Sequence, residues 1–275
     1  MLNRHSGASF ALRVGATLPL CLVMVGSAHN PAQGQSPDAI PPTQLVIGET
    51  ATVEGNIIVT WARVHARHGV QEVGVTIPVA LFDDQPEPGS GPAGAIASLV
   101  FPEIVRDTTF FNHFELQSQA HGHETPPGST NPIRNSVPHY DFHFYAIDED
   151  DVWLIPGLPA PLPRVSAELL PGGYRQPGGS SAQMGRHAAP QSSFVDPDFL
   201  STVMIAGFVP DGTQMHFIEP MVSREFLLQR ADFELAVPMP QTFGRLMFYP
   251  TKLTAEYDPG PDAYRFIFSE FVAVQ

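Results

Sequence analysis

Residues 138–145 read Pro-His-Tyr-Asp-Phe-His-Phe-Tyr, with His139, Asp141 and His143 at every second position and aromatic residues between them. On a β-strand side chains alternate between faces, so the three polar residues share one face while Tyr140, Phe142 and Phe144 share the other. The aromatic face is of the kind that packs into a core. The opposite face carries imidazole, carboxylate and imidazole, each about 6.6 Å from the next along the strand. Neutral imidazole and carboxylate are ligands for divalent metals, with metal–nitrogen distances of about 2.1 Å. A helix would scatter these residues around its circumference.

A second histidine pair precedes the strand. His121-Gly122-His123 is followed by Glu124, and Pro126-Pro127-Gly128 opens a loop leading back to Pro138. Five of the 11 histidines fall between His113 and His143, alongside Glu115, Glu124 and Asp141. A lone histidine usually just hydrogen-bonds within a polar face. His-x-Asp-x-His beside His-x-His-Glu points instead to a metal or catalytic site. Three ligands at i, i+2 and i+4 on one strand do not all reach one ion without a bulge or a neighbouring strand. His139 or Asp141 is then expected to orient a ligating imidazole from behind, as carboxylates commonly do.

Other chemistries have less support. No G-x-S-x-G elbow, phosphate-binding loop or dinucleotide fingerprint is present. Asp148-Glu149-Asp150-Asp151 lacks the alternating ligands and the glycine of a calcium loop and reads as a solvated turn. Trp61 and Trp153 read as packed side chains. Fourteen Lys and Arg against 28 Asp and Glu give a formal charge of −14, so a nucleic-acid backbone would be repelled.

The elements that must position these residues are β-strands. The chain has 275 residues, of which 43% are hydrophobic and only 15% charged, with 29 prolines and 23 glycines spread along it. That composition argues for many short strands and turns rather than long helices. Strand-like runs are Asn56–Val64, Val73–Phe82, Ala95–Phe101, Thr108–Gln117, Val137–Ile147, Ser201–Val209, Gln214–Ile218, Phe233–Val237, Arg245–Tyr257 and Tyr264–Val274. Residues 156–197 are rich in Pro, Gly and Ser and read as a long loop. Ser223–Arg230 is the best helix candidate, with Ser223 as its cap. The expected fold is mainly β: a single antiparallel β-sandwich or barrel-like domain over residues 43–275, with long Pro/Gly-rich loops and at most one or two short helices.

The first residues read as a targeting signal rather than as part of this domain. Arg4 and Arg13 precede an apolar run from Val14 to Val25, followed by Gly26-Ser27-Ala28. This succession is that of a cleaved secretory signal over residues 1–28. Residues 29–42 form a polar, proline-rich tether. Cleavage would remove Cys21, the only cysteine, leaving neither disulfide nor thiolate ligand. The expectation is a secreted or periplasmic protein, with no transmembrane segment in the mature chain.

A resemblance adds to this reading. Gly122-His123-Glu124, the 138–145 motif, Met184-Gly185-Arg186-His187 and Phe217-Ile218-Glu219-Pro220-Met221 come in one order. In this the chain is similar to a family of secreted bacterial proteins of unknown function, related to the sigma-E-regulated hypothetical protein of Thermus thermophilus. The Pro-His-aromatic-Asp-Phe-His-Phe-Tyr element is the specific part. Tyr140 stands where the family pattern has phenylalanine, and the loop from Thr125 to Val137 is longer. The resemblance implies no activity, but it draws His187 and Glu219 toward the histidine cluster.

Two functions of different class follow. One is a non-enzymatic β-domain that binds a divalent metal or small ligand through its His/Asp/Glu cluster, or assembles into a homo-oligomer. The other is a metalloenzyme of hydrolase or oxygenase type. In both, the candidate ligands are His123, His139, Asp141, His143, His187 and Glu219. This donor set suits zinc, copper or manganese, with iron harder to supply outside the cytoplasm.

Overall fold

Runs of β-branched and aromatic residues, broken by Gly and Pro, fold as strands wherever one side can be buried. A computed structural model describes residues 42–84, 86–122, 137–176, 178–194 and 202–275. In chain order its strands are β1 (Thr43–Val53), β2 (Asn56–His65), β3 (Gly69–Pro78), β4 (Ala97–Val100), β5 (His113–Gln119), β6 (His139–Tyr145), β7 (Tyr174–Arg175), β8 (Arg186–Pro190), β9 (Thr202–Phe208), β10 (Met215–Ser223), β11 (Phe233–Ala236), β12 (Met247–Asp258) and β13 (Ala263–Val274). The first sheet has the order β1-β2-β3-β13-β12-β11 and the second β4-β5-β6-β10-β9-β8-β7. All these pairings are antiparallel. The two sheets pack as a sandwich, and neither closes into a barrel.

The core lies between the sheets and is largely aromatic. Tyr140, Phe142 and Phe144 point into it from β6, as their alternation predicts, and none has exposed surface. Phe142 meets Phe266 of β13 at 4.4 Å between ring centroids, and Phe144 meets Phe268 at 4.7 Å. Fully buried aromatic rings contribute the largest apolar areas available to a sandwich of this size.

The helices depart from expectation in number. Four short ones occur among the described residues: α1 (Ala80–Asp84), α2 (Glu103–Thr108), α3 (Glu149–Trp153) and α4 (Arg224–Leu227). Each is four to six residues long, too short for a 3.6-residue pattern to show in sequence. The run expected as strand through Phe82 ends instead at Pro78, which has no N–H to continue a ladder. Leu81 and Phe82 still reach the core, from α1. The run from Thr108 is strand only from His113, because α2 closes at Thr108.

The acidic segment expected as a turn starts α3, with Glu149, Asp150 and Asp151 in its first turn, where the helix dipole favours negative charge. Trp61 is packed as expected, but Trp153 is 42% exposed. Ser223 does cap a helix, accepting a hydrogen bond from Phe226 N at 3.3 Å. The expected tether and signal lie outside the described residues, apart from Pro42. No described helix is long and apolar enough to cross a membrane.

Candidate metal centre

Alternation on β6 puts His139, Asp141 and His143 on the face of the second sheet that points away from the core. That face is nonetheless closed to solvent: His139, Asp141 and His143 are 1%, 2% and 0% exposed. Val152 of α3 helps to cover it, packing in a second apolar cluster with Tyr145, Ile205, Phe217 and Met221. Pairing fixes what lies beside each residue. Across β5–β6, Glu115 faces His143 and Gln117 faces Asp141. Across β10–β9, Glu219 faces Ile205 and Phe217 faces Gly207, while His187 of β8 faces Gly207 from the other side.

Two glycines make room for the third histidine. A Cβ at Gly207 would lie 2.0 Å from Phe217 Cε1, so only glycine lets that ring lie across β9. The ring then packs edge-on against His143 at 5.0 Å and His187 at 5.2 Å between centroids. Gly185, two residues before His187, has φ +112, and a Cβ there would meet Phe208 O at 2.5 Å. Arg186 anchors the start of β8: its buried guanidinium donates to Pro163 O at 2.6 Å and to the Gln176 side chain. The β10–β6 ladder pairs Ile218 with Phe144 and next Met221 with Asp141. Between them stands Pro220, which has no N–H to donate.

These constraints bring three donors together. One ligand atom each from His143, His187 and Glu219 lies within 4.8 Å of the others. Glu219 Oε2 is 3.6 Å from His143 Nε2 and 3.6 Å from His187 Nε2. Those separations are long for hydrogen bonds and close to the spacing of about 3.3 Å between two ligands of a tetrahedral ion. Among the described residues neither ring nitrogen of His143 has a hydrogen-bond partner, nor has Glu219 Oε2. His143 has no exposed side-chain surface and Glu219 has 2%, while His187 is 31% exposed and opens the trio toward solvent. The group could hold a metal ion.

Electrostatics favour the ligating form of His143. Burial pushes the pKa of His143 down to about 3, and the neighbouring His187, His216 and His113 add to this against the pull of Asp141. Burial, with Asp141 nearby, holds the Glu219 carboxyl well above the usual range. Metal binding would therefore displace a proton from Glu219 rather than from His143. Beside the trio, Tyr145 is stacked between His113 at 4.8 Å and His143 at 5.5 Å, both at 10°.

The other sequence candidates are placed as follows. His139 and Asp141 lie farther along β6 and pair with each other, Nε2 to Oδ1, at 3.3 Å. Gln119 Nε2 donates to Asp141 Oδ2 at 3.1 Å. Burial works against charge on His139, but the hydrogen bond and charge of Asp141 outweigh it and raise its pKa. Neither belongs to the trio. His123 lies outside the described residues, and His121 is exposed.

Two neighbours were not foreseen. His216, fully buried, donates Nε2–H to Met184 O at 2.7 Å and so holds the turn before Gly185. Gln117 is buried beside Asp141, with neither amide atom partnered among the described residues. The sequence signal for Gln117 was there: His113-Phe-Glu-Leu-Gln117 alternates polar and apolar just as β6 does. Compared with family models, curated proteins and solved structures, the chain matches none.

Proposed function

We propose that this is an exported β-sandwich protein that binds one divalent transition-metal ion, zinc, copper or manganese, at His143, His187 and Glu219. The observation that carries this reading is the set of three donors within 4.8 Å, two of them buried with open ligand atoms. A buried carboxyl oxygen and a buried imidazole without hydrogen-bond partners burden a fold by about 1–3 kcal/mol each, and a bound cation offsets this. Asp141, paired with His139, lies beside the centre, and its negative charge acts on His143. Export rests on the succession of residues 4–28. Kinship with the Thermus-related family rests on the 138–145 motif and belongs to the same proposal.

The test is elemental analysis of protein purified from expressing cells without a metal column. The expected result is about one zinc, copper or manganese per chain, lost in His143→Ala and in His187→Ala, with an N-terminus near residue 29. Metal-free protein, or variants that keep the metal, would contradict the binding site; an N-terminus at Met1 would contradict export.

One observation favours a catalytic use of the same centre. Three protein donors leave a tetrahedral ion a fourth position for water or substrate, as catalytic rather than structural zinc sites do.

A further inference from the structure

On the first sheet, alternation sends Ile58 and Ala62 of β2 into the core and Val59, Trp61 and Arg63 to the outer face. Strand pairing orders that face in three rows. Arg63 stands between Leu45 and Glu72, Trp61 between Ile47 and Gly74, and Thr76 between Val59 and Arg265. Neighbouring rows are about 7 Å apart. A Cβ at Gly74 would lie 2.4 Å from Trp61 Cζ2, so only glycine lets the indole lie over β3. Its Nε1–H donates to Thr76 Oγ1 at 3.0 Å, which fixes the direction of the ring. Trp61, Leu45, Ile47 and Val59 line a cavity of about 240 Å³ on this face. That is room for about eight water molecules at about 30 Å³ each. Leu45 and Ile47 are 60% and 54% exposed, so the cavity opens between apolar side chains.

We infer that this cavity binds a small carboxylate with an apolar body, an aromatic or short aliphatic acid. The apolar lining takes the body. The polar lining consists of donors: Arg63, Arg265 and Thr76 contribute to it, and no acidic side chain does. Because Thr76 Oγ1 accepts from Trp61, its own proton is left to donate, and no described residue receives it. Arg265 is directly across from Thr76, so guanidinium and hydroxyl stand side by side at one end of the cavity. Arg265 donates through Nη2 to Glu256, and Arg63 through Nε to Glu72, each at 3.0 Å. A guanidinium has five N–H donors, so each ion pair leaves others available. Both pairs are solvent-exposed, and pairs of that kind contribute at most about 1 kcal/mol. A planar carboxylate matches the guanidinium fork, which a point-like acceptor does not. An amine would find no carboxylate in the lining. In a chain of formal charge −14, two arginines beside one apolar cavity mark that patch for an anion. The metal centre belongs to the second sheet and the cavity to the first, so the inference does not rest on the metal reading.

The test titrates the full chain with phenylacetate at neutral pH, with phenylacetamide as the neutral analogue and acetate as the acid without a body. Binding is read by calorimetry and by Trp61 fluorescence in a Trp153→Phe background, which leaves Trp61 as the one indole. The expected result is saturable binding of about one phenylacetate per chain with a change in Trp61 emission. Phenylacetamide and acetate should bind at least tenfold more weakly, and Arg265→Gln should weaken phenylacetate at least tenfold. No saturable binding, equal binding of acid and amide, or unaltered affinity in Arg265→Gln would overturn the inference. Should Arg265→Gln not fold, Ile47→Glu at its exposed position sets a negative charge at the mouth; phenylacetate should again bind at least tenfold more weakly, and unaltered affinity overturns the inference. Sedimentation of the same samples decides against the other occupant: a dimer that Ile47→Glu dissociates, without phenylacetate binding, would assign the face to a second copy of the chain and overturn it too.

Discussion

Among the described residues neither ring nitrogen of His143 is hydrogen-bonded, at a position with no exposed surface. An imidazole so placed gains from a cation and loses from a proton. Glu219→Gln keeps the shape of its neighbour and removes the anionic donor. Metal affinity should fall at least tenfold, about 1.4 kcal/mol, in a calorimetric titration. The metal-free variant should melt no lower than wild type, because burial already holds that carboxyl toward its neutral form.

His216 gives a separable pH prediction. Its pKa is pushed down to about 3 by burial, from 6.5. The neutral ring's contribution is full above about pH 6.5 and is lost as pH falls toward 3, at about 1.4 kcal/mol per unit. His143 acts in the same direction and Glu219 in the opposite one. Denaturant midpoints should therefore fall less steeply between pH 6.5 and 4 in His216→Gln than in wild type; equal slopes would contradict the assignment. At this scale β6 was legible in sequence because its alternation is strict over eight residues. His187 and Glu219 were not legible from local pattern, since their meeting depends on strand order and on a glycine three strands away from β5.

Strand β8 shows how an element can place a candidate ligand and stay hidden. It is five residues long within a stretch rich in Pro, Gly and Ser, and composition there indicates loop. What makes it a strand is tertiary: Arg186 is held by carbonyls of other segments, and Ala188 packs in the core. Gly207 is the matching feature on β9. In Gly207→Ala the added methyl must push the Phe217 ring away from its place against His143 and His187. The expected outcome is a loss of about 1–3 kcal/mol in stability, together with weaker metal binding, measured by chemical denaturation and calorimetry. A stability loss with unchanged affinity would show that the ring does not set the positions of the two histidines. Helix α1 escaped for a different reason: its run is strand-like, but Pro78 stops the strand and the next residues turn Leu81 and Phe82 into the core from a helix.

Seen whole, the molecule separates its two kinds of chemistry onto the two faces of one sheet. The inner face carries the aromatic core that joins the sheets, and Phe142→Ala should cost about 3–5 kcal/mol in denaturant unfolding because the ring bridges β6 to β13. The outer face carries the polar cluster beneath α3 and the loops, so core and site can be altered independently to a first approximation. Fold class followed from composition and strand periodicity, whereas the burial of the outer face did not, since no local pattern marks a polar strand face for covering. The most direct test of the account is a calorimetric titration of metal-free protein with zinc, copper and manganese ions at neutral pH. The account predicts that at least one of them binds at about one ion per chain, and that His143→Ala and Glu219→Gln abolish or strongly weaken that binding. No binding by any of the three, or equal binding by both variants, would contradict it.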